Sequence, residues 1–437
     1  MNSAADPLQS ASGDPSGAPD PSVRLNRMTL MFVLAVVLLN TLSLGIVSPV
    51  LPILVKQLAN GNTIQAAEAV GVFAAAWSAM QLFFAPVLGV LSDRYGRRPV
   101  ILLAMLQLSA DYVVMALAPT LAWLFVGRLF SGMAAAGRAA MFAYAADVAA
   151  PAERARYFGL LAAVGAVGTI LGPGLGGLLG QISPRAPFWA AAGFGVLNAV
   201  YGFFVLKESL PPSRRAAFSW ARANPFGAML ILVETKGLMG LAGMMLLANI
   251  ALSAFGSIYV LYVNYRYGWG PGQAGLVLTV FAACNIAAQA LLAGPAVKRL
   301  GERRAIVIAF ASGAVGMVMI GLGGPILLWV GLVALAPVNV AVAAIQSLRS
   351  QLVEPSEQGR LQGAMVSLAG LAGMVGPVLF AETFAWSIGP GRGLNLPGLA
   401  MLGGAGVFAL ALLLTLVVIT PKAKASGGDS GERAVEA

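Results

Sequence analysis

Apolar runs of about twenty residues, each long enough to cross the hydrocarbon core of a bilayer, recur twelve times along this chain, and nothing else in it restricts the fold so tightly. They fall at residues 30–54, 70–91, 99–118, 121–147, 158–180 and 186–206, then at 239–264, 273–297, 305–323, 326–348, 359–383 and 398–419. With 59% apolar and 10% charged residues, the chain is far from a soluble domain, where roughly a quarter of residues are charged. The pattern predicts an all-α polytopic membrane protein with twelve transmembrane helices in two six-helix bundles, residues 29–206 and 239–420. A linker over 207–238, with Pro211-Pro212 and several basic residues, is expected in the cytoplasm with a short surface helix around Trp220. Residues 1–28 and 421–437 read as disordered cytoplasmic tails.

Where the basic residues fall gives an orientation. With both termini in the cytoplasm, Arg94, Arg97, Arg98, Arg156, the linker's basic residues, Lys298, Arg299, Arg303, Arg304, Arg349 and Arg360 all lie inside, and only Lys56, Arg185, Arg266 and Arg392 lie outside. The net charge of +10 is thus a topological signal, and the expected partner is the lipid bilayer of a plasma membrane, not nucleic acid. One cysteine, Cys284, and no histidine exclude a disulfide framework, thiolate metal clusters and histidine relays, so neither metal nor cofactor is expected. An intramembrane enzyme needs paired aspartates, a serine with a base, or metal ligands at depth, and none is visible.

The stretch from Gly89 to Pro99 packs Asp93, Arg94, Gly96, Arg97 and Arg98 between two apolar runs, and reads as a tight elbow. Gly89 suits close helix approach, Gly96 permits a turn, and Asp93 is offered arginine partners, with Asp147 at the end of the fourth span in reach of the same cluster. The halves repeat at an offset of about 204 or 205: Gly89, Arg94, Gly96 and Arg98 recur as Gly294, Arg299, Gly301 and Arg303, while Asp93 becomes Lys298 and Arg97 becomes Glu302. Pro151, Glu153, Arg156, Gly159, Gly172 and Pro173 recur as Pro355, Glu357, Arg360, Gly363, Gly376 and Pro377.

A carboxylate inside a bilayer is expensive, so Asp111 in the third span is a candidate proton site, with a structural ion pair as the competing reading. Counted from the cytoplasmic face, Asp111 lies at roughly 18 Å, Arg138 at roughly 14 Å and Arg128 at roughly 28 Å, which makes Arg138 its expected partner or else a contact for an acidic substrate. Asn40, Gln81, Asn249, Asn285 and Asn339 fall at similar depth, either as a substrate cavity or as interhelical hydrogen-bonding groups. Trp77, Phe255 and Tyr259 offer stacking surface or packing.

These motifs resemble those of the drug:proton antiporters of the major facilitator superfamily, in particular its tetracycline-resistance branch. The resemblance runs through Pro49-Val-Leu-Pro52, Ala85-Pro86-Val-Leu-Gly89, the elbow, Asp111-Tyr112, Gly127-Arg128, Ala146-Asp147, Gly172-Pro173 and Lys207-Glu208-Ser209. It implies a monomeric secondary transporter in a bacterial inner membrane that couples efflux of a drug-like small molecule to protons. It also implies that Arg128 takes part in coupling, and that Asn40, Arg138, Asn249 and Asn339 face the cavity. The elbow network becomes a latch on the cytoplasmic side, and Gly165, Gly168, Gly172 and Pro173 match the fifth-span pattern of antiporters. Where the resemblance implies acidic residues in the first and ninth spans, this chain has Asn40 and Ser312, which argues against tetracycline as cargo. The alternatives are a transporter of another organic solute or lipid, or a sensor or scaffold with a transporter's fold.

Overall fold

The computed structural model describes residues 27–149, 153–220 and 223–419, so the two expected tails lie outside the described residues but for Arg27 and Met28. The first half contains α1 (Arg27–Val47), α2 (Leu51–Leu58), α3 (Thr63–Tyr95), α4 (Arg97–Leu117), α5 (Leu121–Ala135), α6 (Arg138–Val148), α7 (Arg154–Ile182) and α8 (Ala186–Val205). A linker holding the short α9 (Ile231–Glu234) leads to α10 (Leu238–Tyr267), α11 (Pro271–Ala287), α12 (Ala293–Leu322), α13 (Pro325–Leu335), α14 (Val338–Gln351), α15 (Gln358–Ile388) and α16 (Leu399–Val418). No strand occurs among the described residues. Large apolar side chains such as Ile182, Phe203, Phe204, Ile326 and Val417 are exposed along the outer helix faces, as a lipid solvent allows and water does not.

Ten runs among the described residues are long and apolar enough to cross a membrane, against twelve expected. The difference lies in two places. The run Pro271–Leu322 counts once at 52 residues, yet a straight helix of that length would reach about 78 Å, more than twice the hydrocarbon thickness. It is broken inside α12 at Gly301, which adopts φ 75° and ψ 160°. In the other place, α5 (15 residues) and α6 (11 residues) are too short to count singly; a turn at Ala136 and Gly137 lies between them. The matching crossing of the second half breaks at Ala336 and Pro337, where proline removes the backbone donor that would continue the helix.

Within each half the pairing is the same: α1 packs on α7 as α10 does on α15, and α4 packs on α8 as α12 does on α16. The halves meet through α3 with α15 and α7 with α11. Small residues set the spacing of these contacts: a Cβ added to Gly172 of α7 would stand 2.7 Å from the Cα of Gly45 on α1. Gly165 and Gly168 face the same helix. Gly89 does not behave as expected: a Cβ there meets nothing within 4 Å, because its face of α3 is not packed against another helix. Around Trp220 the described linker is non-helical, with prolines at 211, 212 and 225, and its short helices are 3-10 turns at Pro212–Arg214 and Gly227–Leu230 followed by α9.

Candidate coupling site and cavity

Helices α4 and α5 run antiparallel through a turn over residues 118–120, whose carbonyls at Ala116 and Ala118 accept from the Arg185 guanidinium at 2.8 and 2.9 Å. From that turn Asp111 and Arg128 are level, nine residues before Thr120 and eight after it. Asp111 is 3% exposed and its charge opposes that of Arg128, with Ser131 beside it. Gly127 makes room: a Cβ there would stand 3.1 Å from Oδ1 of Asp111 and collide with Met115. Neither carboxylate oxygen, nor Nε of Arg128, completes a hydrogen bond among the described residues. Two opposite charges thus face each other in a dry environment without a closed bidentate contact, an arrangement open to rearrangement.

Among the described residues the charge set against Asp111 is that of Arg128. Depth measured from the elbow end misleads because the fourth span is longer than the third and breaks at Gly137, whereas the shared turn is a common origin for both helices. Arg138 opens α6, and its side chain lies outside the described residues.

A cavity of about 280 Å³ adjoins this pair, lined among others by Ser48, Trp77, Tyr112, Arg128, Ser131 and Ser257. It spans both halves, since Gly256 and Ser257 come from α10. Among the described residues Arg128 is its one charged lining residue, with the guanidinium carbon 5.6 Å from the Trp77 ring centroid, and Asp111 lies next to that arginine. The indole Nε1 of Trp77 has no hydrogen-bond partner among the described residues.

The amides expected at midplane do not join this cavity. Asn40 lines a second, smaller apolar cavity of about 70 Å³ with Thr41, Met141 and Phe142. Asn249 donates to Met245 O of its own helix at 2.8 Å, Asn285 donates to Phe281 O at 2.8 Å, and Asn339 donates to the side-chain oxygen of Asn285. Gln81 is partly buried one turn beyond Trp77 on α3. Depth alone does not decide direction, because successive helix positions turn by about 100°. Phe255 and Tyr259 are fully buried, with Phe255 at 4.6 Å from both Tyr259 and Phe281, so they pack rather than offer a stacking surface. Ser312 of α12 donates to Ala334 O of α13 at 2.5 Å.

At the elbow the expected contacts form. Arg97 Nη1 meets Asp93 Oδ1 at 2.6 Å and Ser92 Oγ at 3.1 Å, and its Nε meets Asp147 Oδ2 at 3.2 Å. Gly96, at φ 105° and ψ 160°, separates α3 from α4 in a conformation that only glycine adopts easily. Arg98 donates to Phe203 O at 2.8 Å, and Arg94 lies over the exposed ring of Tyr95. Two participants are not apparent from sequence spacing. Glu208 accepts the backbone N–H groups of Arg97 and Arg98 at 2.8 and 3.3 Å, capping α4, and Ser209 donates to Asp147 at 3.1 Å. They follow the sixth span directly, but only the folded chain shows that they return to the elbow.

At the opposite end of the bundle, Lys56 of α2 donates to Asn264 Oδ1 of α10 at 2.8 Å, tying the halves together. No sequence motif marks this contact.

The sequence profile of the Major Facilitator Superfamily matches residues 33–264 and again residues 241–436. The chain is 36% identical to the class C tetracycline resistance protein of Escherichia coli over 381 residues, 84% of this chain and 92% of that one. It is 35% identical to the class G protein of Vibrio anguillarum, over 84% of this chain and 93% of that one. Multidrug resistance protein 2 of Bacillus subtilis (strain 168) is 27% identical, over 67% and 73% of the two chains. In fold the chain is similar to the nucleoside transporter NupG, with a TM-score of 0.73 at 12% identity over 91% of this chain and all of that one. The human organic anion transporter MFSD10 (TETRAN) gives 0.65 at 21% identity, again over 91% of this chain and all of that one. Duplicated halves, an elbow built on a left-handed glycine and a charge pair beside a cavity between the halves all agree with these matches, and the chain belongs to the Major Facilitator Superfamily.

Proposed function

We propose that this protein exports a drug-like amphipathic small molecule in exchange for protons, by alternating access between bundles 29–206 and 239–420, with twelve crossings in all. The elbow end faces the cytoplasm of a bacterial inner membrane, as the distribution of basic residues requires. The chain acts as a carrier, not an enzyme, and a monomer contains the whole path.

The observation that carries this reading is the buried Asp111 carboxylate set beside Arg128, the one charge on the cavity wall among the described residues. While Asp111 is ionised it balances Arg128; once protonated, it leaves that guanidinium to seek another partner, and the charge of the cavity wall changes. A conformation that binds the proton tenfold more tightly is favoured by about 1.4 kcal/mol on protonation, enough to bias a two-state carrier. Asp93, Arg97 and Asp147 act as the cytoplasmic latch and Lys56 with Asn264 as a tie between the halves at the other end; both are formed in the conformation seen here, and each is released in turn during the cycle.

The named cargo of the tetracycline relatives does not carry over. Among the described residues no carboxylate lines the cavity beside Arg128, Asn40 and Ser312 stand where the resemblance implies acids, and the Ser312 hydroxyl is committed to a backbone carbonyl. Purified protein in proteoliposomes with an imposed pH gradient tests the reading. A panel of drugs should include at least one that moves protons in the wild type and none in Asp111→Asn, with tetracycline inactive; coupling that survives in Asp111→Asn would remove the pair from the mechanism.

A further inference from the structure

The linker between α8 and α10 carries an exposed apolar stripe that the transport cycle does not use. Its first part is fastened to the elbow, where the Ala216 N–H donates to Asp93 O at 3.1 Å. Its last part is fastened to α15: Ser367 Oγ donates to Pro225 O at 2.6 Å, and Glu234 pairs with Arg360 at 2.8 Å. Asp93 lies in the last turn of α3 and Arg360 in the first turn of α15, with Ser367 nine residues into α15, so the segment runs along the elbow-side ends of membrane-spanning helices, near the level where they leave the hydrocarbon.

At that level the side chains divide. Ile231 and Leu232 are buried in one cluster with Leu238, Val353 and Leu361. Leu230 and Val233, three residues apart, are 59% and 71% exposed, and Phe226 shares the exposed side. Trp220 is 73% exposed, with its ring edge-on to Phe218 at 4.9 Å. A linker in water would bury such residues or lack them, whereas Trp and Phe are favoured at the headgroup boundary. Arg214 and Arg215 are exposed nearby, and residues 209–220 contain no Asp or Glu.

We propose that this linker lies in the membrane interface, with Trp220, Leu230 and Val233 seated at the acyl boundary and Arg214 and Arg215 holding anionic phospholipid headgroups. Charge decides the occupant: a second copy of the chain would set the same arginines against each other, while an acidic leaflet supplies the opposite sign. Because the segment runs from the elbow to α15, and α15 packs on α3 across the seam between the halves, bound lipid bears on that seam.

The full chain reconstituted in nanodiscs with brominated lipid tests this, and Trp220→Phe isolates the Trp220 signal from the other six tryptophans. The fluorescence lost in Trp220→Phe should be quenched by both lipids and more strongly by brominated phosphatidylglycerol than by brominated phosphatidylcholine. Arg214→Gln and Arg215→Gln should each weaken that anionic preference by about fivefold, leaving quenching by phosphatidylcholine unchanged. A Trp220 signal that neither lipid quenches overturns the interfacial placement, and equal quenching by both in the wild type overturns the headgroup site. A Val233→Cys disulfide between two copies in native membranes, in a Cys284→Ser background, would assign the stripe to self-association and overturn the proposal as well.

Discussion

The two halves share a backbone and differ in chemistry. Gly96 and Gly301 both take left-handed φ with ψ of 160°, and Arg98 and Arg303 both donate to a carbonyl near the end of the last helix of their half, Phe203 and Leu416. At the elbow itself, among the described residues, the first half alone has a charge network, the ion pairs of the second half lying at Arg360 with Glu234 and Glu357. Asp93, Arg97 and Asp147 interlock, whereas Lys298 and Glu302 at the repeated positions make no ion pair among the described residues. Deeper in, the first half has Asp111 against Arg128 and the second an amide pair, Asn285 with Asn339. The duplicated part is thus the geometry of turning and packing. The buried pair of opposite charges lies on one side of the seam.

The sharpest way to break this contrast is at depth. Removing Arg128 or Asp111 alone should cost about 3 to 5 kcal/mol of stability, and removing both should cost less than the sum, because each single change strands a buried charge. Asn285→Leu with Asn339→Leu should cost only about 1 kcal/mol, a neutral hydrogen bond lost with both partners replaced. Thermal unfolding in detergent across both cycles reads the difference, and additive losses at Asp111 and Arg128 would deny the pairing. Next come the glycines. Gly96→Ala and Gly301→Ala should each lose about 1 to 3 kcal/mol from backbone strain, with Gly96→Ala the worse because its Cβ meets the Glu208 carboxylate while that of Gly301 meets nothing within 4 Å.

Smaller effects should separate the elbows in transport. At equal expression, Arg97→Ala is expected to slow efflux roughly tenfold by shifting the two-state balance, against little change in Glu302→Ala. Equal losses in vesicle uptake assays would show that both elbows latch. The mildest change is Glu208→Gln, which keeps the shape of the cap on α4 but not its charge; a loss of about 0.5 to 1 kcal/mol in unfolding is expected.

Much of this was legible from residues alone. Asp93, Gly96, Arg97 and Asp147 are placed correctly because the elbow is local and its parts sit at helix ends, where the chain can only turn. Asp111 was legible because a carboxylate in an apolar run has few innocent explanations. That Arg128 stands level with it was not, since counting from the elbow end compounds the differing lengths of two helices, while the turn at residues 118–120 gives both a common origin. Of the amides, Asn339 and Asn285 join two helices, one of the two roles open to them, while the facing of Asn40 and Asn249 is not legible from depth, because successive helix positions turn by about 100°. Glu208 was quoted for its likeness and not for its role, because nothing in one dimension shows a chain coming back to cap a helix 111 residues earlier.

The hydrogen bond from Ser312 to the carbonyl of Ala334 has an evolutionary consequence. Ala334 lies just before the break at Ala336 and Pro337, where the helical ladder cannot continue normally, and the serine hydroxyl is a donor there. An ionised carboxylate at position 312 can only accept, so it would leave that carbonyl without its donor and set negative charge beside it. Acquiring the acid that tetracycline pumps are expected to carry would therefore demand a compensating change across the helix pair. A hydroxyl at position 312 is thus fixed by the break in the neighbouring helix as much as by its own surroundings.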